Sequence, residues 1–437
     1  MIVSKFGGSS LADAEQFLQV KDILDMDPER RYLVVSAPGK RNQQDIKVTD
    51  LLLDCHHKAQ LHQNFDQPFA LLTGRFRDIE RGLGLTGYLD ETLKALRASL
   101  DEGACRDYIL SRGEYMCASL FSKWLNISLV DPVKAVRFDH RGKLKLEETL
   151  SLLKDQLLVH ERAVLPGFYG ADETGRVHTF TRGGSDVSGA LAAAAIDADL
   201  YENWTDVTGF RSADPRIVPD ARYIASLTYR ELRELSYMGA SVMHEDAVFP
   251  VRNAGVPTSI RNTGNPQHPG TIIVPSPRQI GRMPVVTGIA GKRGFSTIIL
   301  EKNRMNDEIG FGRKVLSVLE HHHLNFEHLP TGIDTLCVMV STAALSCCRH
   351  AVLEEIEAAV RPDSIMVQDG IALVACVGTE LLKIHGTIAR LFTAICEQGI
   401  PIRTMFQAPS ALSIIVGIDE EYLETAIRVI YDAFIRE

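Results

Sequence analysis

The sequence predicts an α/β fold, a mainly parallel sheet with helices on both faces, followed by two smaller α+β units. Three observations predict it. Strand-like and helix-like segments alternate from residue 1 to about residue 280. Proline and glycine then cluster over residues 262–283 (Pro266, Pro269, Gly270, Pro275, Pro277, Gly281), as in a linker. Beyond that cluster a set of short strands and helices occurs twice, offset by about 75 residues. The predicted division is residues 1–280, 285–370 and 371–437.

Met1–Phe6 reads as an apolar strand that ends in Gly7-Gly8. Ala12–Leu24 has helical spacing (Phe17, Val20, Ile23, Leu24), with Asp13 and Glu15 at its positive end. Tyr32–Ser36 is a buried-type strand entering a Pro38-Gly39 loop, and Thr49–His57 begins the next helix. Ser111–Glu114 precedes a helix over Tyr115–Trp124. Ala163–Gly167 is a strand into a turn, Ser188–Ile196 a helix of small residues, and Leu200–Thr205 the next strand, with Gly209 and Asp214-Pro215 as breakers. In such sheets ligands bind in the loops beyond the carboxyl ends of strands.

The first repeat reads as strand Phe295–Leu300, helix Phe311–His322, strands Asn325–Leu329 and Thr335–Val340, helix Arg349–Val360 and strand Ser364–Val367. The second reads as strand Ala372–Val377, helix His385–Glu397, strands Ile402–Phe406 and Leu412–Val416, and helix Glu420–Phe434. An extra strand, Val285–Ile289, stands before the first repeat. The second repeat lacks a closing strand, so counting assigns the extra one to it and makes the first unit an insertion within the second.

The chain has 437 residues, 45% hydrophobic and 24% charged, with a net charge of −9. Acidic and basic residues are interspersed, which excludes a basic face for nucleic acid or anionic membrane. The start of the chain has no basic, apolar leader, and no apolar run approaches the ~20 residues of a membrane span, so a cytoplasmic location is expected. The eight cysteines form no CxxC pair and are expected to be small buried hydrophobes of a reducing compartment. No metal site is expected; His321-His322-His323 reads as a cationic helix end.

Several segments carry chemistry. Lys5-Phe6-Gly7-Gly8-Ser9-Ser10 joins a strand to a helix, where glycines admit close backbone approach to a phosphate and a lysine reaches its oxygens. A tight turn with an exposed lysine explains the same residues. Thr181-Arg182-Gly183-Gly184-Ser185-Asp186 opens the small-residue helix; Asp186 is either a cap or a site residue, and Arg182 suits a carboxylate clamp. Trp204-Thr205-Asp206-Val207-Thr208-Gly209 ends a strand, with Arg211 and Arg216 beyond it, either solvated or set for phosphates. Ser36-Ala37-Pro38-Gly39 leads to Thr49, and Glu114 is either a first-turn acid or a partner for a substrate ammonium. Glycine loops after strands with scattered Lys, Arg and Asp point to phosphoryl transfer, which needs positioning and charge neutralisation. The GxxxxGK[ST] phosphate loop is absent.

Taken together and in order, Lys5–Ser10, Ser111–Glu114, Pro166–Gly170, Arg182–Asp186 and Trp204–Val207 resemble the aspartokinases, and the duplicated tail resembles their paired ACT domains. The resemblance implies an amino-acid-kinase fold with two ferredoxin-like ACT units and MgATP as cofactor. It implies conversion of aspartate to 4-phosphoaspartate, the first step towards lysine, threonine and methionine. By position, Lys5, Gly7, Gly8 and Ser9 would hold the phosphoryl group and Asp186 would organise the groups around it. Arg182, Ser36, Thr49 and Glu114 would bind aspartate, and Thr205, Asp206, Arg211, Arg216 and Ser241 would line the nucleotide site. One departure stands out. The family usually has Gly-Ala-Lys-Val and then His-Pro, and this chain has Gly239-Ala240-Ser241-Val242 and His244-Glu245. Arg211 is expected to replace the missing lysine charge. An amino-acid effector is implied at Met305, Glu308, Gly310 and Phe311 with Glu327 facing them; lysine is the first expectation and threonine the alternative. A homodimer or homotetramer is implied too. The competing readings are a kinase of another carboxylate, such as glutamate, and a catalytically silent amino-acid sensor.

Overall fold

A computed structural model describes residues 1–181, 183–240, 245–279, 281, 284–381, 383–407 and 412–436. It divides into two compact units. The first comprises Met1–Phe210, Tyr223–Tyr229 and Val242–Gly281; the second comprises Arg211–Arg222, Arg230–Ser241 and Arg282–Glu437.

The first unit is built on β1 (Ile2–Phe6), β2 (Arg30–Val35), β3 (Ser128–Leu129), β4 (Ala163–Pro166), a hairpin of β5 (Tyr169–Ala171) and β6 (Val177–Thr179), β7 (Leu200–Thr205), β8 (Ser226–Thr228), β9 (Thr258–Asn262) and β10 (Thr271–Val274). The main sheet has the order β3-β4-β2-β1-β7-β9-β10-β8. Its neighbours are parallel except β9 with β10. β1 lies centrally and is buried on both faces, as its apolar run requires.

Alternation along β1 and β7 divides their side chains between the faces. Phe6 and Trp204 stack at 5.8 Å within a core that includes Phe17, Leu52, Phe76, Leu93, Met116 and Phe121 from the helices on that side. Burying each such side chain contributes roughly 1.5–3 kcal/mol. On the other face the helix Gly184–Ala195 lies against Tyr201. A Cβ at Gly189 would stand 2.6 Å from the Tyr201 hydroxyl, so this approach needs glycine.

The proline- and glycine-rich stretch is not purely a linker. It contains β10, which pairs with both β9 and β8. Its turn residues flank the strand closely, and that hides the strand in composition.

The second unit is a six-stranded antiparallel sheet of β11 (Gly288–Glu301), β12 (Phe326–His328), β13 (Thr335–Ser341), β14 (Ser364–Val377), β15 (Ile402–Phe406) and β16 (Ser413–Asp419), in the order β12-β13-β11-β14-β16-β15. The sequence reading split β11 and β14 into two strands each. Both are continuous. Gly288–Lys292 pairs with Leu373–Val377, and Phe295–Glu301 pairs with Ser364–Ile371, with the register slipping between Lys292 and Phe295. Gly294 and Gly370, at φ 93° and 75°, sit at this irregularity, in the gaps between the predicted strands, and the gaps are a bulge. Two cores form along this ribbon, one around Ile298, Val315, Val338 and Ile356, the other around Val374, Ile395, Val416 and Ile427. Ala213, Val218 and Ala221 join the second core, which explains why their segment groups with this unit.

All eight cysteines are free, but Cys55, Cys117 and Cys376 alone are fully buried; Cys105, Cys347 and Cys396 are exposed, against expectation. Among the described residues, no helix is long and apolar enough to cross a membrane.

Candidate active site

The site forms where β1 and β7 end. The two strands are parallel and in register, Lys5 beside Asn203, so both side chains emerge on one face. Lys5 Nζ forms an ion pair with Asp186 and donates to Asn203 Oδ1 at 3.2 Å. Asn203 Nδ2 donates to Asp186 Oδ1 at 3.1 Å, which closes a triangle. Asp186 stands in the first turn of Gly184–Ala195, and the Tyr201 hydroxyl donates to its backbone carbonyl at 3.1 Å. Lys5 is 7% exposed, so the pair works in a medium where charge is poorly screened.

Gly7 and Gly8 follow β1, and residues 8–11 turn as a short 3-10 helix that leaves Ser9 exposed. The Gly7 N–H donates to the Trp204 carbonyl at 3.0 Å. A Cβ at Gly7 would lie 3.6 Å from Lys5 Nζ, in the space next to the ammonium. Gly8 and Gly39 touch backbone to backbone, which joins the end of β1 to the loop after β2. That loop carries Ser36, whose N–H donates to the Phe6 carbonyl at 3.2 Å, and runs into the helix Val48–Gln60, where Thr49 is half-buried in the first turn.

Ser111–Glu114 does not precede a helix. It lies inside the single helix Arg106–Leu125. Gly113 is a contact residue within that helix: a Cβ there would meet the Ala37 Cβ at 2.8 Å. This packing seats Glu114 beside Ala37 with 5% exposure. Burial pushes the Glu114 carboxyl up to about 8, against the pull of backbone hydrogen bonding at Ala37. Its Oε2 is buried without a hydrogen-bond partner. A buried acceptor of this kind is costly unless a ligand completes it.

Thr205 ends β7, and its hydroxyl donates to Asp206 Oδ1 at 3.1 Å. Arg182 and Ser241 fall outside the described residues. Arg211 and Arg216 belong to the second unit. Arg211 donates to the Ala221 carbonyl at 2.9 Å and to the Pro219 carbonyl at 3.5 Å, and Arg216 pairs with Asp214 at 2.6 Å. Both guanidiniums brace their own loop, so the charge expected of Arg211 has a local use.

In the second unit, Met305 and Phe311 are buried in the core. Gly310 caps the helix Phe311–His321 at φ 82°. Lys302 at 2.5 Å and Lys314 at 2.6 Å hold the Glu308 carboxyl below its ordinary range. Glu327 does not face this loop within the chain. Phe326 pairs with Val340, while Glu301, where the loop begins, neighbours Thr335 at the other end of β13. Glu327 instead accepts a hydrogen bond from Tyr237. Among the described residues, one metal-competent cluster occurs: His321 and His322 against Glu355, at 3.1 and 2.9 Å. The imidazoles and the carboxylate satisfy one another by hydrogen bonds.

Two site residues escape sequence reasoning. Asn203 is identified by its register with Lys5, which only strand pairing reveals. Arg75 is buried, donates to the Gly39 carbonyl at 2.8 Å and pairs with Asp45, which fixes the loop around Gly39. Arg75 had a signal: it lies on the apolar face of its helix, with Leu72, Phe76 and Ile79.

Residues 1–262 match the amino acid kinase family, and residues 374–434 match an ACT domain. Aspartokinase 3 of Bacillus subtilis is 36% identical over 449 residues, 99% of this chain and 98% of that protein. Lysine-sensitive aspartokinase 3 of Escherichia coli is 27% identical, covering 90% of each chain. The crystal structure of Clostridium acetobutylicum aspartate kinase superposes with a TM-score of 0.91 at 41% identity, over 99% of both chains. The chain belongs to the amino acid kinase family, and within it to the aspartokinases.

Proposed function

We propose that this enzyme transfers the terminal phosphoryl group of ATP to the side-chain carboxylate of L-aspartate. One observation carries the reading: buried Lys5, paired with the part-exposed Asp186, stands beside Gly7, whose missing side chain leaves room for phosphate next to the ammonium. The space beside Gly7 fits a nucleotide phosphate, and MgATP, when bound, supplies the phosphoryl group and a neutralising divalent ion. No described group of three carboxylates stands at this site, so Mg2+ would come held largely by phosphate oxygens.

Within that reading each residue has a task. Lys5 places its ammonium against the charge that develops on the transferred group. Asp186 fixes that ammonium, and the backbone N–H groups of Gly8 and Ser9 add donors at a helix start. Glu114 receives the α-ammonium of aspartate, which gives its orphaned oxygen a partner. Ser36, Thr49 and Arg182 complete the aspartate site, and Thr205, Asp206 and Ser241 border the nucleotide. The attacking carboxylate is ionised at neutral pH, so no general base is needed.

Feedback by an amino acid, lysine first, is proposed through Met305, Glu308, Gly310 and Phe311. The lysine sensitivity named for the Escherichia coli relative supports lysine. Since Glu327 stands away from that loop within one chain, it would meet an effector only across a subunit contact. This favours a homo-oligomer, in a cytoplasmic enzyme. The test is ADP release with aspartate or glutamate as acceptor. Aspartate-dependent turnover lost in Lys5→Met supports the assignment; equal turnover with glutamate overturns the substrate.

A further inference from the structure

Lys5 and Asp186 are recognisable from the sequence, but the pair has a third member. Asn203 is 4% exposed and lies in register with Lys5 on the adjacent strand. Its amide is used at both ends: Oδ1 accepts from Lys5 Nζ at 3.2 Å, and Nδ2 donates to Asp186 Oδ1 at 3.1 Å. An amide oriented by one contact has the other fixed as well, because its carbonyl and NH2 are held in one plane.

The alternation of β7 makes the arrangement rigid. The neighbours of Asn203, Glu202 and Trp204, point to the opposite face. There Glu202 accepts from Ser4 at 2.9 Å, from Arg30 at 2.8 and 3.0 Å and from Trp204 Nε1 at 2.9 Å. β7 is thus clamped to β1 and β2 from below, one residue away, so the Asn203 side chain has little freedom to drift.

We infer that Asn203 is a positioning residue for phosphoryl transfer, holding the Lys5 ammonium and the Asp186 carboxylate in one geometry through a neutral side chain. Neutrality matters. Asp186 already compensates much of the Lys5 charge, and a second carboxylate in the same place would withdraw the rest from the phosphate. A non-polar residue would leave Asp186 and Lys5 with freedom to misalign, and small misplacements of charged groups lower rates steeply. The inference rests on the phosphoryl-transfer reading above.

The experiment compares Asn203→Asp and Asn203→Ala with the unaltered enzyme. Asp is isosteric and preserves packing, while it removes the Nδ2 donor and adds charge. Steady-state kinetics are measured for ATP and aspartate over a range of pH, with thermal unfolding recorded in parallel. The expected result is a fall in kcat of about 100-fold in Asn203→Asp and about 10-fold in Asn203→Ala, with KM for aspartate within about two-fold. Asn203→Asp should also regain rate at acid pH, where the new carboxyl is neutral. Wild-type kcat and pH profile in Asn203→Asp would overturn the inference, as would rate losses that follow unfolding alone. Absence of aspartate-dependent turnover in the unaltered enzyme would overturn the catalytic reading itself, a distinct outcome.

Discussion

Gly8 and Gly39 meet without side chains between them: the Gly39 N–H donates to the Gly8 carbonyl at 2.7 Å, and a Cβ on Gly39 would stand 2.6 Å from the Gly8 carbonyl carbon. This contact fixes the glycine turn after β1, the proposed phosphate site, relative to the loop that leads to the proposed aspartate-binding residues. Gly39→Ala is expected to cost about 1–3 kcal/mol of stability, because backbone must move, and to lower kcat about ten-fold or more. Gly74, mid-helix with nothing within 4 Å of its Cβ position, provides the contrast. Gly74→Ala should stabilise the chain by roughly 0.5–1 kcal/mol and leave kcat unchanged. Thermal unfolding and initial rates measure both.

In the proposed aspartate site, Glu114 would link substrate binding to proton release. With its carboxyl raised to about 8 by burial, it is mainly protonated at pH 7 in the free enzyme. An incoming ammonium favours the carboxylate, so aspartate binding near pH 7 should release up to one proton. Calorimetry in buffers of different ionisation enthalpy reads this directly, and Glu114→Gln should abolish it while weakening aspartate binding.

The same residue shapes stability against pH. The folded chain keeps a proton on Glu114 that the unfolded chain releases above the ordinary carboxyl range, about 4.3. That contribution is complete below the unfolded value and is lost as pH rises through about 8. Without ligand, Glu114→Gln should therefore unfold at a higher temperature than the unaltered chain at pH 8.5, with the gap narrowing towards pH 5. A gap that widens towards acid would contradict the assignment.

In the second unit, the Glu308 carboxylate is shared between Lys302 and Lys314. If this loop binds the effector, Glu308→Gln should raise the lysine concentration for half-inhibition by about ten-fold or more, a coupling loss of ordinary size. KM for aspartate without lysine should move by less than about two-fold. Inhibition curves with and without the substitution decide it.

Much of this was legible before any coordinates. Lys5, Gly7-Gly8 and Asp186 were readable because strand, glycine turn and helix start lie within a few residues of one another, and β7 was bounded correctly as Leu200–Thr205. What was not legible depended on tertiary contact. Ser111–Glu114 reads as the approach to a helix and lies inside one, because the packing partner of Gly113, Ala37, is distant in sequence. Asn203 gave no local signal, since its importance comes from register with Lys5. The gaps between predicted strands around residues 294 and 370 are irregularities in continuous strands, visible only from the pairing of β11 with β14. Arg211 reads in sequence as a phosphate ligand, and the fold adds that its guanidinium donates to backbone carbonyls of its own loop, contacts that no local pattern announces.

The most direct test of the central claim is to trap the acyl phosphate with hydroxylamine and quantify the hydroxamate with aspartate, with glutamate and with neither, each with and without lysine. The account predicts aspartate-dependent hydroxamate, suppressed by lysine and absent in Lys5→Met. No hydroxamate with aspartate, from folded enzyme that still binds the amino acid, would contradict it.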